Sequence, residues 1–348
     1  MPPLPVLLPP NRFDHFYLGG DRIAALRGGP GGPRRPEEWL ASATPRAGAA
    51  PQGLSALPGG DLLRDAVLAD PLAWLGREHV ERYGDQGVEL LVKLLDAGQR
   101  LPVHVHPDRA FAREHLGLAH GKTEAWVVLD AEPGAVVGLG LRTPLDHGTL
   151  RAMVDRRDSD ALVEALHVRQ PRAGDGILVP AGTPHYIGAG VLVVEVQEPT
   201  DLSILLEWEG LAVDGDADGH LGLGFDAALQ AVDTRVWSQY DVDSAVRSLS
   251  RDPADRRGMV AALPQEADPY FRADWIRADP DPVPVGAGFA VLVVTAGEGT
   301  VRHAGGGLAV RRGDVALVPF AAGDWSVDGT AEAVLCRPPA PDAPPAPR

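Results

Sequence analysis

One eight-residue pattern occurs twice, and it limits the possible folds more than any other feature of the chain. Gly174-Asp175-Gly176-Ile177-Leu178-Val179-Pro180-Ala181 returns as Gly313-Asp314-Val315-Ala316-Leu317-Val318-Pro319-Phe320. A Gly-Asp turn that opens an apolar run closed by proline reads as a tight corner feeding a short buried strand. Its recurrence predicts two copies of one β-unit. Around the first copy, short β-rich runs follow at Leu101 to His106, Glu124 to Asp130, Ala135 to Leu141, Gly176 to Pro180 and Gly190 to Gln197, separated by Gly, Pro and Asp. Strands at this spacing favour a sandwich or a barrel. The first copy leads on to His185 and the second to Asp324-Trp325, so only the first offers an imidazole there.

The rest of the chain is organised around these units. Residues 1–87 are read as an N-terminal segment that completes the barrels, with helix-like spacing from Asp61 to Gly84. Residues 88–142 and 168–207 form the first barrel, interrupted by a helical insertion at 143–167. A connecting region spans 208–287, with helix around Phe225 to Ala231. The second barrel occupies 288–337, and 338–348 is a Pro-rich tail with no reason to fold.

Composition excludes several function classes. With 348 residues at 45% hydrophobic and 23% charged, the chain can bury a large core. No apolar run approaches the ~18 residues of a membrane span. Met1 to Pro10 lacks the basic start of a secretory signal, so the cytoplasm is the expected compartment. The single Cys336 rules out an internal disulfide framework. A net charge of -16 argues against general nucleic-acid binding, which needs a cationic surface. Of the 32 basic residues only Lys93 and Lys122 are lysine. Two lysines kept among so many arginines point to places that need a compact, titratable ammonium.

The chemistry begins at Leu101-Pro102-Val103-His104-Val105-His106. The strand period of two puts His104 and His106 on one face, which inside a small barrel is the interior. Two neutral imidazoles in a dry cavity are costly unless something uses their lone pairs, and a divalent ion does so. The spacings Gly98-x5-His104-x-His106 and Gly174-x5-Pro180-x-Gly182-x2-His185 fit the two halves of the cupin metal motif. The expected fold class is therefore mainly β, two cupin-type barrels of jelly-roll kind with an inserted helical subdomain. The glutamate usual a few residues after the second histidine is absent, since Ala110 and Phe111 stand there. A fourth ligand has to come from elsewhere.

Further blocks narrow the reading: Leu91-Val92-Lys93-Leu94-Leu95-Asp96-Ala97, Val105-His106-Pro107-Asp108, Gly121-Lys122-Thr123-Glu124-Ala125-Trp126, and Pro180-Ala181-Gly182-Thr183-Pro184-His185. Through them the chain resembles the class I mannose-6-phosphate isomerases, densely from 88 to 201 and thinly elsewhere. The resemblance implies a metal-dependent aldose-ketose isomerase acting through an enediol. It implies metal ligands at His104, His106, Glu124 and His185, with zinc as the ion. The donor set by itself also suits Mn, Fe, Co or Ni. Lys122 and Glu195 are the candidate catalytic groups, and Lys93 with Lys122 the candidate substrate-binding groups. The expected partner is a small sugar or sugar phosphate.

Two positions depart from the family pattern. His104 replaces the usual glutamine and remains a competent ligand. Leu205 falls where the family has an active-site arginine, and no arginine occurs between Arg172 and Arg235. Two alternatives therefore stay open: isomerisation of a different or unphosphorylated sugar, and a non-catalytic metal-bearing cupin that binds a sugar or a partner.

Overall fold

The computed structural model describes residues 2–250, 253–279 and 281–346. Four antiparallel sheets make up its body. The first half of the chain builds a six-stranded sheet in the order Val246–Ser248, Asp175–Val179, Glu124–Ala131, Val191–Gln197, Leu91–Ala97, Glu37–Leu40. It faces a five-stranded sheet in the order Ile204–Leu205, His104–Val105, His185–Ile187, Val137–Leu141, Leu166–Arg169. The second half repeats the arrangement with a six-stranded and a four-stranded sheet.

Side-chain alternation decides what each sheet encloses. Along Leu91–Ala97, Val92 and Leu94 join a core shared with Val291, Val293, Val334 and Cys336 of the other half, whereas Leu95 joins the interior of the first barrel. The two six-stranded sheets thus pack back to back, and their central strands are buried on both faces. That explains why Val191–Gln197 and Ala290–Ala296 read as nearly continuous apolar runs. Each buried Val or Leu in this layer contributes about 1.5–3 kcal/mol. Cys336 lies within it, fully buried, and burial pushes its thiol up, which makes it inert.

The repeated Gly-Asp corners superpose in detail. Gly174 and Gly313 take φ of +92° and +91°, which glycine adopts without strain. Their amides donate to Val128 O and Val294 O, each at 2.9 Å. Asp175 and Asp314 then accept from the amides of Arg172 and Arg311, again at 2.9 Å each. Beyond the corner the copies diverge. Asp324, in the place of His185, is exposed and accepts from the Ala287 amide at 3.0 Å. Trp325 fills the second interior with Leu292, Val301 and Val327.

Several expected boundaries move. The strand expected over Leu101 to His106 is paired only at His104–Val105, because Pro102 has no amide to give a ladder. The helical stretch from Asp61 is three short helices, Leu63–Ala69, Pro71–Leu75 and Arg77–Tyr83, broken at Asp70-Pro71 and at Gly76. The insertion holds His147–Arg156 and Ser159–Glu164, capped by Asp146 and Asp158, and packs Leu150, Val154 and Leu162 on the outer face of the five-stranded sheet. The second pair of sheets begins upstream of 288, since Gly258–Ala261, Arg272–Arg277 and Val283–Val285 all belong to it. The start of the Pro-rich tail is docked: Arg272 Nε donates to Pro338 O at 3.0 Å and Tyr83 Oη to Ala340 O at 2.7 Å. Residues 347–348 of that tail lie outside the described residues.

Candidate metal centre

Three imidazoles converge on one point from two strand ends, and a carboxylate from a third lies against two of them. His104 opens its strand and pairs directly with His185, the first residue of His185–Ile187. His106 follows two residues later, and Glu124 opens Glu124–Ala131. Ring centroids lie 4.1 Å apart for His104 and His185 and 4.9 Å apart for each of the other two pairs. One nitrogen from each ring falls within 4.8 Å of the others, and all three rings are buried. Gly182 makes this approach possible: at φ +85° it turns the chain after Pro180 and donates its amide to His106 O at 2.7 Å.

Backbone carbonyls fix the tautomer of every ring. Nδ1 of His104 lies 2.8 Å from Pro102 O, Nδ1 of His106 2.7 Å from Leu202 O, and Nδ1 of His185 2.7 Å from Thr183 O. A carbonyl only accepts, so each Nδ1 carries the hydrogen and each Nε2 turns a lone pair inward. The same two-residue reach back, Pro102 to His104 and Thr183 to His185, serves both halves of the motif. The rings are thus oriented by main chain, not by Glu195.

Glu124 adds acceptors to a place already full of them. Its Oε2 lies 2.9 Å from His106 Nε2, and its Oε1 lies 3.4 Å from His185 Nε2. Trp126 Nε1 donates to Oε1 at 2.9 Å, and Lys122 Nζ donates to Oε2 at 2.8 Å. The same ammonium is 2.8 Å from His106 Nε2. His185 Nε2 is buried and has no hydrogen-bond partner among the described residues. Lone pairs facing one another at such distances repel unless a cation or proton lies between them. The set of three nitrogens and a carboxylate oxygen, one nitrogen orphaned, fits a divalent transition ion.

Electrostatics keep the donors in the form such an ion needs. Burial, helped by the neighbouring His185 and His106, holds His104 well below the usual imidazole range. Burial and Lys122 push His106 down to about 3. Burial opposes ionisation of Glu124, but Lys122 and His106 outweigh it and hold the carboxyl well below its ordinary value. His104 and His106 are thereby kept neutral and Glu124 ionised.

A second charged row lies on the same inner face, two residues, or about 7 Å, further along the strands. Glu195 pairs across with Trp126 on one side and Lys93 on the other. Lys93 Nζ sits 3.3 Å from Glu195 Oε1 and 3.4 Å from Glu37 Oε2, over the face of Trp39. Glu37 accepts from Tyr17 Oη at 2.6 Å and from Trp39 Nε1 at 2.8 Å. Sequence reasoning missed Glu37, Tyr17 and Trp126. The period of two from Glu124 would have placed Trp126 on the inner face, and a buried lysine needs carboxylates beside it, but which ones depends on strand register. Leu205 pairs with His104 and is buried in an apolar cluster.

No protein-family model matches the chain. Individual proteins do. It is 30% identical over 270 residues to the mannose-6-phosphate isomerase of Streptococcus mutans, covering 76% of this chain and 79% of that one. The crystal structure of the mannose 6-phosphate isomerase from Bacillus subtilis superposes with a TM-score of 0.71 at 24% identity, over 96% of this chain and 100% of the other. A crystal structure of mannose 6-phosphate isomerase bound with zinc and yttrium gives a TM-score of 0.70 at 16% identity, over 96% and 100% of the two chains. With the sheet order, the corner repeat and the imidazole cluster in place, these likenesses establish that the chain belongs to the mannose-6-phosphate isomerase family.

Proposed function

We propose that this chain is a metal-dependent aldose-ketose isomerase that interconverts mannose 6-phosphate and fructose 6-phosphate by moving a proton between C1 and C2 through an enediol. The observation that carries the reading is the convergence of three buried imidazole lone pairs, with Glu124 against two of the rings, in a member of this family. His104, His106, Glu124 and His185 would hold one divalent ion. Zinc is favoured by the relative solved with zinc bound, and Mn, Fe, Co and Ni suit the same donors. Such an ion, when bound, acts as a Lewis acid on a sugar oxygen.

The chain's own residues supply the rest. One lone pair on His106 Nε2 cannot accept the Lys122 hydrogen and coordinate an ion at once. With His106 Nε2 serving as a ligand, the Lys122 ammonium would keep its bond to Glu124 and turn its remaining hydrogens to substrate oxygens, to hold them or to exchange a proton with them. Glu195 is the second acid-base group: burial raises its pKa against the pull of Lys93, so its carboxyl is ready to take up a proton. Lys93 and Lys122 are the cations facing the interior that can bind the sugar's oxygens.

A coupled assay of zinc-loaded protein tests this directly, with mannose 6-phosphate and unphosphorylated mannose run in parallel. Fructose 6-phosphate formation is the expected result. No turnover of mannose 6-phosphate at saturation overturns the proposal. Turnover of mannose alone would move the substrate to the unphosphorylated sugar, as Leu205 in the arginine's place would permit.

A further inference from the structure

A cavity of about 520 Å³ lies between the two barrels, away from the histidines. Asp130 lines it, six residues beyond Glu124 on the same strand, which sets it about 20 Å from the metal centre. Four arginines, Arg22, Arg256, Arg277 and Arg312, face two carboxylates, Asp130 and Glu332, in its wall. The lining thus has an excess of positive charge in a chain whose net charge is -16. Most of the remaining lining is aliphatic.

The hydrogen bonding in the wall is incomplete. Arg22 donates through Nε to Asp96 at 2.7 Å and through Nη1 to Gly190 O at 3.1 Å and Asp130 Oδ2 at 3.4 Å, but its buried Nη2 has no partner among the described residues. Trp275 Nε1, also in the lining, is likewise buried without a partner among the described residues. Unmet donors of this kind are costly, and an entering acceptor relieves that cost once the side chains shift toward it. Among the described residues Arg277 has one ion-pair contact, with Glu332 at 3.4 Å, and Arg312 is exposed; both line the cavity. Their planar fork matches a phosphate oxygen pair.

We propose that this cleft is a binding site for a small organic phosphate, with the anion held by Arg22, Arg277 and Arg312 and the body laid against the aliphatic wall. Arg22 comes from the N-terminal segment and Arg277 and Arg312 from the second barrel, so the ligand ties the two halves of the molecule together. The volume is in the range of small-molecule sites. The proposal does not depend on the substrate assigned to the metal centre.

Isothermal titration of the full-length, zinc-loaded protein tests it, using phenyl phosphate and inorganic phosphate as probes. Phenyl phosphate is expected to saturate a single site and to bind more tightly than inorganic phosphate. The double variant Arg277→Glu, Arg312→Glu should weaken it about tenfold or more while leaving isomerase turnover unchanged. The double variant His104→Ala, His106→Ala should leave phenyl phosphate binding intact. Absence of saturable binding in the millimolar range overturns the proposal. So does binding that survives the arginine substitutions and disappears with the histidines, which would place the anion at the metal centre. Equal affinity for the two probes would overturn the assignment of the aliphatic wall.

Discussion

Lys122 Nζ lies 2.8 Å from Glu124 Oε2 and 2.8 Å from His106 Nε2, so one ammonium bridges two acceptors that stand only 2.9 Å apart. The proposed role of Lys122 is toward the substrate, with His106 and Glu124 as the groups that would hold the ion. Lys122→Met should therefore retain metal and lose turnover. The expected fall in kcat is about 10²–10⁴-fold, the range for loss of an acid-base group. Metal analysis beside steady-state kinetics checks it, and a rate within a few-fold of the parent would remove Lys122 from the reaction.

Trp126 meets the centre through its Nε1–H, which donates to Glu124 Oε1 at 2.9 Å, and through its ring, whose centroid lies 5.7 Å from that of His185. Trp126→Phe keeps most of the ring packing and deletes that donor. Groups that orient a metal ligand in this way are typically worth about 10–100-fold in metal affinity or activity. Competition with a chelator at fixed pH measures the change, and unchanged affinity would show that Glu124 is oriented without Trp126.

Glu37 and Glu195 flank the same Lys93 ammonium, yet their surroundings treat them in opposite ways. Burial opposes ionisation of Glu37, but His15, Lys93, Tyr17 and Trp39 overcome it and depress the pKa. For Glu195 burial prevails over Lys93 and the pKa rises. Oε1 of Glu195 has the Lys93 ammonium 3.3 Å away but makes no hydrogen bond among the described residues, which leaves its charge poorly compensated. The folded protein thus binds a proton on Glu195 more tightly than the unfolded chain does. Its stabilising contribution is complete below about pH 4.3, the unfolded glutamate value, and is lost as pH rises through the raised folded value. Glu195→Gln should gain Tm relative to the parent as pH increases across that window.

Glu37 has the opposite sign. Its contribution is present above about pH 4.3 and is lost as pH falls toward its depressed folded value. Glu37→Gln should cost about 1–3 kcal/mol near neutrality, the price of leaving buried donors mismatched, and less in acid. Thermal melts of both variants from strongly acidic pH, below about 4.3, up to neutrality separate the two behaviours, and parallel shifts would contradict them.

What the sequence disclosed depends on the range over which each signal acts. His104 and His106 share a face because strand geometry is local, and the paired Gly-Asp corners announced themselves because each needs a positive φ at one residue. Contacts made across strands were hidden. That Trp126 reaches Glu124, or that Lys93 lies between Glu37 and Glu195, follows from registers set by pairing of segments as distant as Glu37–Leu40 and Leu91–Ala97. Arg272–Arg277 was missed as a strand because Arg272, Asp274 and Arg277 interrupt it and its buried Ala273 and Ile276 face two different cores, so no period-two apolar pattern shows. The docking of Pro338 and Ala340 was missed because it uses only their carbonyls, which no side-chain pattern advertises.

The most direct test of the account is a zinc titration of protein stripped by chelation, followed by its rate of conversion of mannose 6-phosphate to fructose 6-phosphate. The rate should start near zero and rise to a plateau at about one ion per chain, as a single ligand set requires. It should stay flat in His185→Ala. Stripped protein that turns over the sugar at full rate, or a plateau unaffected by loss of His185, would contradict the claim that these imidazoles serve one catalytic ion.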